Sequence, residues 1–139
     1  NQLIKNLKEV FFTRIENKHG GGIPDAHIIW DSLAFWLELK ITKSNKVLLS
    51  PHQISWNTAY SHKGGVNFIL VKRVGERCLF LFEGQKALEI QGSRVEDIEY
   101  LVRGSIKEVV AYLQRCCKNV TPPSAGEGRG GGSPCDLAT

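Results

Sequence analysis

Asp25, Glu38 and Lys40 set two carboxylates and an ammonium into an otherwise apolar stretch, IPDAHIIWDSLAFWLELK, residues 23 to 40. The stretch reads as two β-strands joined by a polar turn around Asp31-Ser32, with apolar β-formers on either side. Folding about that turn is expected to bring Asp25 opposite Leu39, so that its carboxylate lands beside Glu38 and Lys40. Side chains alternate along a strand. Trp36, Glu38 and Lys40 therefore share one face, and Phe35, Leu37, Leu39 and Ile41 the other. Charges gathered in such a place cost free energy unless they pair or hold a metal. Two carboxylates suit a hard divalent cation that keeps several waters. Phosphodiester hydrolysis asks for a neutralised phosphate, a deprotonated water and a stabilised leaving oxygen, much of which such an ion supplies. Lys40 would stabilise the developing charge or orient the water. A plainer reading has Asp25 follow Pro24 in a turn, with Glu38 and Lys40 as a strand-surface pair. The three residues alone leave both readings open.

The elements that must hold these residues are legible in outline. Leu3, Leu7 and Val10 recur at helical spacing over residues 2–10, and Phe11, Phe12 and Ile15 suggest a first strand over 11–16. Residues 17–22 form a loop ending in three glycines, which allow a sharp turn or a close approach. After the hairpin, residues 42–49 form a lysine-rich connection. Ser50, Pro51 and Gln53 then make a helix start, with Ser50 as N-cap and Gln53 closing a capping box, and the helix runs to about Ser61. Lys63-Gly64-Gly65 stops it. Residues 66–74 read as a buried strand and 77–82 as another. Ser93 with Glu96 and Ser105 with Glu108 predict helices over 94–103 and 106–117. From Lys118 the composition turns to Thr, Pro, Ser and Gly, as expected of a disordered tail over 118–139. Strands interleaved with helices imply an α/β fold in which a mixed sheet carries helices on its faces, as one domain over 1–117.

Composition narrows the partners. A net charge of +4 and a pI near 9.0 fit a polyanion. No apolar run approaches bilayer-spanning length, and no signal peptide is visible, so no membrane role is expected. Cys78, Cys116, Cys117 and Cys135 match no zinc spacing and read as reduced thiols in a cytoplasmic compartment. Arg14, Lys18, Lys43, Lys46 and His52 are candidates to track a phosphate backbone, His52 because it opens a helix. Lys63, Lys72 and Arg73 join them or form an ordinary solvated face. His27 shares the strand face of Asp25 and either approaches the site or packs. Trp30, Trp36 and Trp56 read as core before they read as base-stacking platforms.

An acidic residue after proline followed by Glu-x-Lys at the end of the next strand resembles the PD-(D/E)XK nuclease superfamily. The runs GGIPDAHIIW, FWLELK and LLSPHQISW, then a glycine pair and VNFILVKR, are similar to the VRR-NUC group and to the Holliday junction resolvases near it, over about residues 10 to 73. The resemblance implies a restriction-endonuclease-like core and a metal-dependent DNA endonuclease. It implies Mg²⁺, with Mn²⁺ as a substitute, held by Asp25, Glu38 and the backbone carbonyl of Leu39. Lys40 is implied as a catalytic group, and Gln53 as one that contacts the water or phosphate, a role that competes with its capping box. An acidic or amide ligand from the first helix is also implied, with Gln2, Glu9 and Glu16 as candidates. Branched DNA, a homodimer and a phage or bacterial setting follow from the same resemblance. Two other readings stay in view: a restriction or homing endonuclease on the same core, and an inactive nucleic-acid-binding module.

Overall fold

The computed structural model describes residues 11–14 and 22–119, with the side chains of Phe11 and Asn119 outside that description. The expected first helix, with Gln2 and Glu9, lies outside the described residues, as do Glu16, Lys18 and the tail beyond 119.

Six strands form one mixed sheet in sequence order: β1 (Phe11–Arg14), β2 (Ala26–Trp30), β3 (Leu33–Thr42), β4 (Asn67–Arg73), β5 (Leu79–Glu83) and β6 (Val102–Gly104). All neighbours run antiparallel except β3 and β4, which are parallel. A parallel step needs a crossover, and the chain makes it through helix α1 (Pro51–His62). A short helix α2 (Ala87–Ile90) follows β5, and α3 (Ile106–Asn119) follows β6. The expected α/β class, with its central hairpin and flanking helices, is the observed one.

β4 is apolar on both faces over residues 68–71 because both sides of the sheet are covered there, whereas β3 is apolar on one face only. Toward α3, Phe35, Leu37, Phe68, Leu70 and Leu81 pack with Val109, Tyr112, Leu113 and Cys116. On the opposite face, Ile69, Val71, Phe80 and Phe82 pack with Val47, Leu49, Ala87, Ile90, Val95 and Ile98, with Ile54 of α1 at the edge. α1 has little apolar stripe of its own. Polar side chains pin it instead: buried Asn67 donates to the Asn57 carbonyl at 3.1 Å and to its Oδ1 at 3.0 Å, and the Ser61 hydroxyl donates to Asn67 at 2.7 Å.

Three expectations need correction. Residues 94–103 are not a helix. A single 3-10 turn, Val95–Asp97, precedes β6, and the Leu101 N–H donates to the Leu81 carbonyl at 2.7 Å. Glu96, expected to close a capping box, instead meets Arg73 and Arg94. Desolvation, the largest single effect, pushes its carboxyl up, but the hydrogen bonds and charges of the two arginines together outweigh it and hold the carboxyl below the usual range. Arg73 accordingly leaves the solvated basic face. It is buried, pairs with Glu96 and with Glu76 at 2.9 Å, and donates to Asn45 at 2.9 Å. Cys116 and Cys117 are buried and form no disulfide, and burial pushes the Cys117 thiol up to about 12, but Cys78 is disulfide-bonded.

Candidate active site

The turn that makes the hairpin is two residues long. Asp31 and Ser32 both take positive φ, +49° and +72°, as a type I′ turn requires. Trp30 then pairs with Leu33, and Ala26 with Leu37. This register would set Asp25 opposite Glu38, one residue from the expected partner Leu39. The chain leaves the ladder at Asp25, however, and the carboxylate reaches the next residue: the Leu39 N–H donates to Asp25 Oδ2 at 2.8 Å. Asp25, Glu38 and Lys40 do meet.

Glu38 is the most unusual side chain in the sheet. It is only 2% exposed, and its Oε1 is buried without a hydrogen-bond partner. Burial, then the Asp25 carboxyl beside it, pushes its pKa up to about 9, while the nearby Lys40 charge works the other way. A neutral Glu38 at pH 7 leaves one unsatisfied oxygen next to the half-buried Asp25. A positive charge placed here would favour the ionised form of Glu38 and could use that oxygen.

Leu39 brings a backbone oxygen to the same end. Along a strand, the N–H and C=O of one residue point to the same side. Trp36 donates its N–H to the Val66 carbonyl, on the β4 side, so Leu39, three residues on, points toward β2. Its N–H is already seen to do so in the bond to Asp25. The carbonyl of Leu39 therefore faces the same end.

α1 begins at this end. Ser50 caps it: its hydroxyl accepts from the Gln53 N–H at 3.1 Å, and the Gln53 Oε1 accepts from the Ser50 N–H at 2.9 Å. The amide carbonyl of Gln53 is thus taken by the capping box, which leaves its NH₂ for a ligand. Gly22, three residues before Asp25, has φ +77°, and a Cβ there would sit 2.2 Å from the His52 carbonyl oxygen. Only glycine lets the chain press on the first turn of α1 as it enters Asp25. That contact sets the first turn of α1, with Gln53 and the exposed His52, against the segment that leads into Asp25.

The other basic candidates lie around this end at different removes. Arg14 is exposed on β1 opposite Ala26, one register step from Asp25. Lys43 and Lys46 are exposed in the turn beyond β3, which the Thr42 hydroxyl ties by donating to the Lys46 carbonyl at 2.9 Å. Lys18 lies outside the described residues. Trp30 is core, as expected. His27 is half-buried against Trp36, with ring centroids 4.7 Å apart. Tyr60 also belongs beside these rings. It stacks on Trp56, and the i, i+4 spacing of the two on α1 was the available signal.

Among the described residues no three His, Cys, Asp or Glu side chains gather as a metal cluster, and no helix is long and apolar enough to cross a membrane. No family model matches the chain, and no curated protein does. Among solved structures, the chain is similar to Hjc, a Holliday junction resolvase from the archaeal hyperthermophile Archaeoglobus fulgidus. The two are 17% identical with a TM-score of 0.47, over 60% of this chain and 72% of that one.

Proposed function

We propose that the chain is a metal-dependent DNA endonuclease that hydrolyses phosphodiester bonds in branched DNA. The observation that carries the reading is Glu38: a buried carboxyl with an orphaned oxygen, set beside Asp25, with Lys40 two residues further along the same strand face. The donor set is all oxygen, which fits a hard divalent cation such as Mg²⁺, or Mn²⁺ in its place. Asp25, Glu38 and the Leu39 carbonyl would hold it. When bound, such an ion supplies charge neutralisation and a more acidic water.

The chain's own groups supply the rest. The Leu39 N–H fixes one Asp25 oxygen and so aims the other. Lys40, half-buried and cationic, stands where negative charge would build on a phosphate held at the carboxylates. The NH₂ of Gln53 is free to orient a water or a phosphate oxygen. Arg14, Lys43, Lys46 and His52 would follow the backbone on either side, a salt-sensitive contribution. Selectivity for junctions and a homodimer that presents two such sites belong to the same proposal, on the strength of the sequence resemblance.

The test is single-turnover cleavage of labelled four-way junction, flap and linear duplex, side by side, with Mg²⁺, Mn²⁺ or EDTA. Cleavage of the branched substrates that requires the metal and fails in Asp25→Asn and Glu38→Gln is the expected result. Variants that cut as fast as the parent would make the carboxylates structural and overturn the assignment. Light scattering reads the dimer, with a monomer at micromolar concentration, both with and without DNA, counting against it.

A further inference from the structure

Four aromatic rings run away from the carboxylates along the α1 side of the sheet. His27 and Trp36 pair across β2 and β3, each two residues from its neighbouring carboxylate, Asp25 and Glu38. Trp36 meets Trp56 edge-on at 5.4 Å, and Trp56 stacks on Tyr60 at 4.9 Å with ring planes 13° apart. All four side chains are half-buried, in contrast to Trp30 at 7% exposed on the opposite face of the sheet.

The elements that carry the row are tied to one another. The Asn57–Asn67–Ser61 hydrogen bonds tie the second half of α1, the helix that carries Trp56 and Tyr60, to the start of β4. Gly65 lies directly under Tyr60: a Cβ there would fall 2.2 Å from its ring. The backbone has been cleared to let that ring lie down. At the far end the helix closes with exposed His62 and Lys63. A row of partly open rings that starts at a phosphodiester-cleaving centre and ends at a basic group matches what unpaired nucleotides need. Bases stack on the rings with little sequence preference, and cations follow the backbone. Paired bases inside a duplex present no open faces to such a row.

We infer that the His27–Trp36–Trp56–Tyr60 row is a stacking platform for the unpaired bases of a single strand leaving the cleavage point. The proposal rests on the nuclease reading and narrows its substrate to DNA with a single-stranded arm beside the scissile bond.

The test uses the full chain in EDTA, where binding is read without cleavage. Probes are a duplex with a single-stranded arm carrying 2-aminopurine and the matching blunt duplex. The arm's 2-aminopurine should be quenched on binding. Trp56→Leu and Tyr60→Leu, checked as folded by circular dichroism, should each lose the quenching. Each should also weaken binding of the armed probe roughly tenfold, the scale of one lost base stack, with blunt-duplex affinity within about twofold of the parent. Trp56→Phe should restore most of the loss. Equal weakening on both probes, or quenching that survives in both leucine variants, would overturn the platform. Cleavage with Mg²⁺ separates the two ideas. If the parent cuts while the leucine variants bind and quench as it does, the platform is wrong and the nuclease reading stands. If the ring-dependent quenching appears but the parent cuts nothing, the platform stands and the nuclease reading falls.

Discussion

Toward α3, β3 presents Phe35 and Leu37, sealed to 0% and 1% exposure among other apolar side chains. Toward α1, the same strand presents Trp36, Glu38 and Lys40, of which only the carboxyl is fully buried. The first face spends its residues on packing density. The second keeps an unsatisfied oxygen, a raised pKa and half-open rings, each of which lowers stability taken alone. The residues proposed to carry chemistry collect where the helix laid over the sheet is tied by polar bonds, as α1 is, and the apolar seal is left incomplete.

The contrast predicts a division of labour, which mutation can break. On the α1 face, Asp25→Asn or Glu38→Gln should lower single-turnover cleavage at least ~100-fold if the proposed ion is held there, because its charge and the activation of its water would both depend on those ligands. Folding should persist, read by circular dichroism. An unfolded Glu38→Gln protein would mean that the carboxyl holds the sheet together.

On the α3 face, Leu37→Ala should do the reverse. It should cost about 2–5 kcal/mol in urea unfolding, through lost burial and the cavity left behind. The protein that remains folded should cleave at a near-parent rate. A loss below about 1 kcal/mol would show that this face is less well packed than its burial implies.

The pH dependence sharpens the same comparison. Glu38 has a pKa of about 9 in the metal-free folded state against 4.5 as the reference value. Between those two values the folded chain holds a proton that the unfolded chain has released. Stability should therefore be greatest below about pH 4.5, as far as this group is concerned, and fall as pH rises toward 9. The slope is at most about 1.4 kcal/mol per pH unit. Glu38→Gln should flatten it in thermal melts between pH 6 and 9. Mg²⁺ should raise the melting temperature of the parent more at pH 8 than at pH 6, since it favours the ionised carboxyl.

The smallest effects separate two sites with the same sequence signature. Ser50→Ala removes a formed cap and should cost about 1 kcal/mol. Ser93→Ala should cost close to nothing, because no side-chain cap forms at the 3-10 turn that follows it. Equal shifts in the urea midpoint would contradict the difference between them.

The same pair shows how far the sequence could be read. The hairpin, α1, β4 and α3 were legible because each is specified locally, by alternation, by a cap or by an apolar stripe. Residues 94–103 carried equally good helix signals and failed. Glu96 is committed to Arg73, 23 residues earlier, and Leu101 to the β5 backbone. No local pattern states such partners, and for the same reason Arg73 passed for a surface charge. Asp25, Glu38 and Lys40 were legible as a motif, yet the register between them was one residue off. That register hangs on two non-glycine residues, Asp31 and Ser32, both adopting positive φ. The aromatic row went unread because it is assembled from three elements, with only Trp56 and Tyr60 spaced to reveal each other.

β3 is ten residues long, and its pairing with β2 stops at Leu37. Beyond that point it is paired on the β4 side alone among the described residues, with Ile41 72% exposed near its end. An open strand edge is a template for recruiting another chain into an aggregate. Here Asp25 occupies the Leu39 N–H, and Lys40 and Lys43 place like charges that repel an incoming copy. The acid that serves the site thus also guards the edge. Asp25→Asn keeps an acceptor for that N–H and leaves the edge covered, whereas Asp25→Ala uncovers it and should turn a loss of activity into a loss of solubility at high concentration.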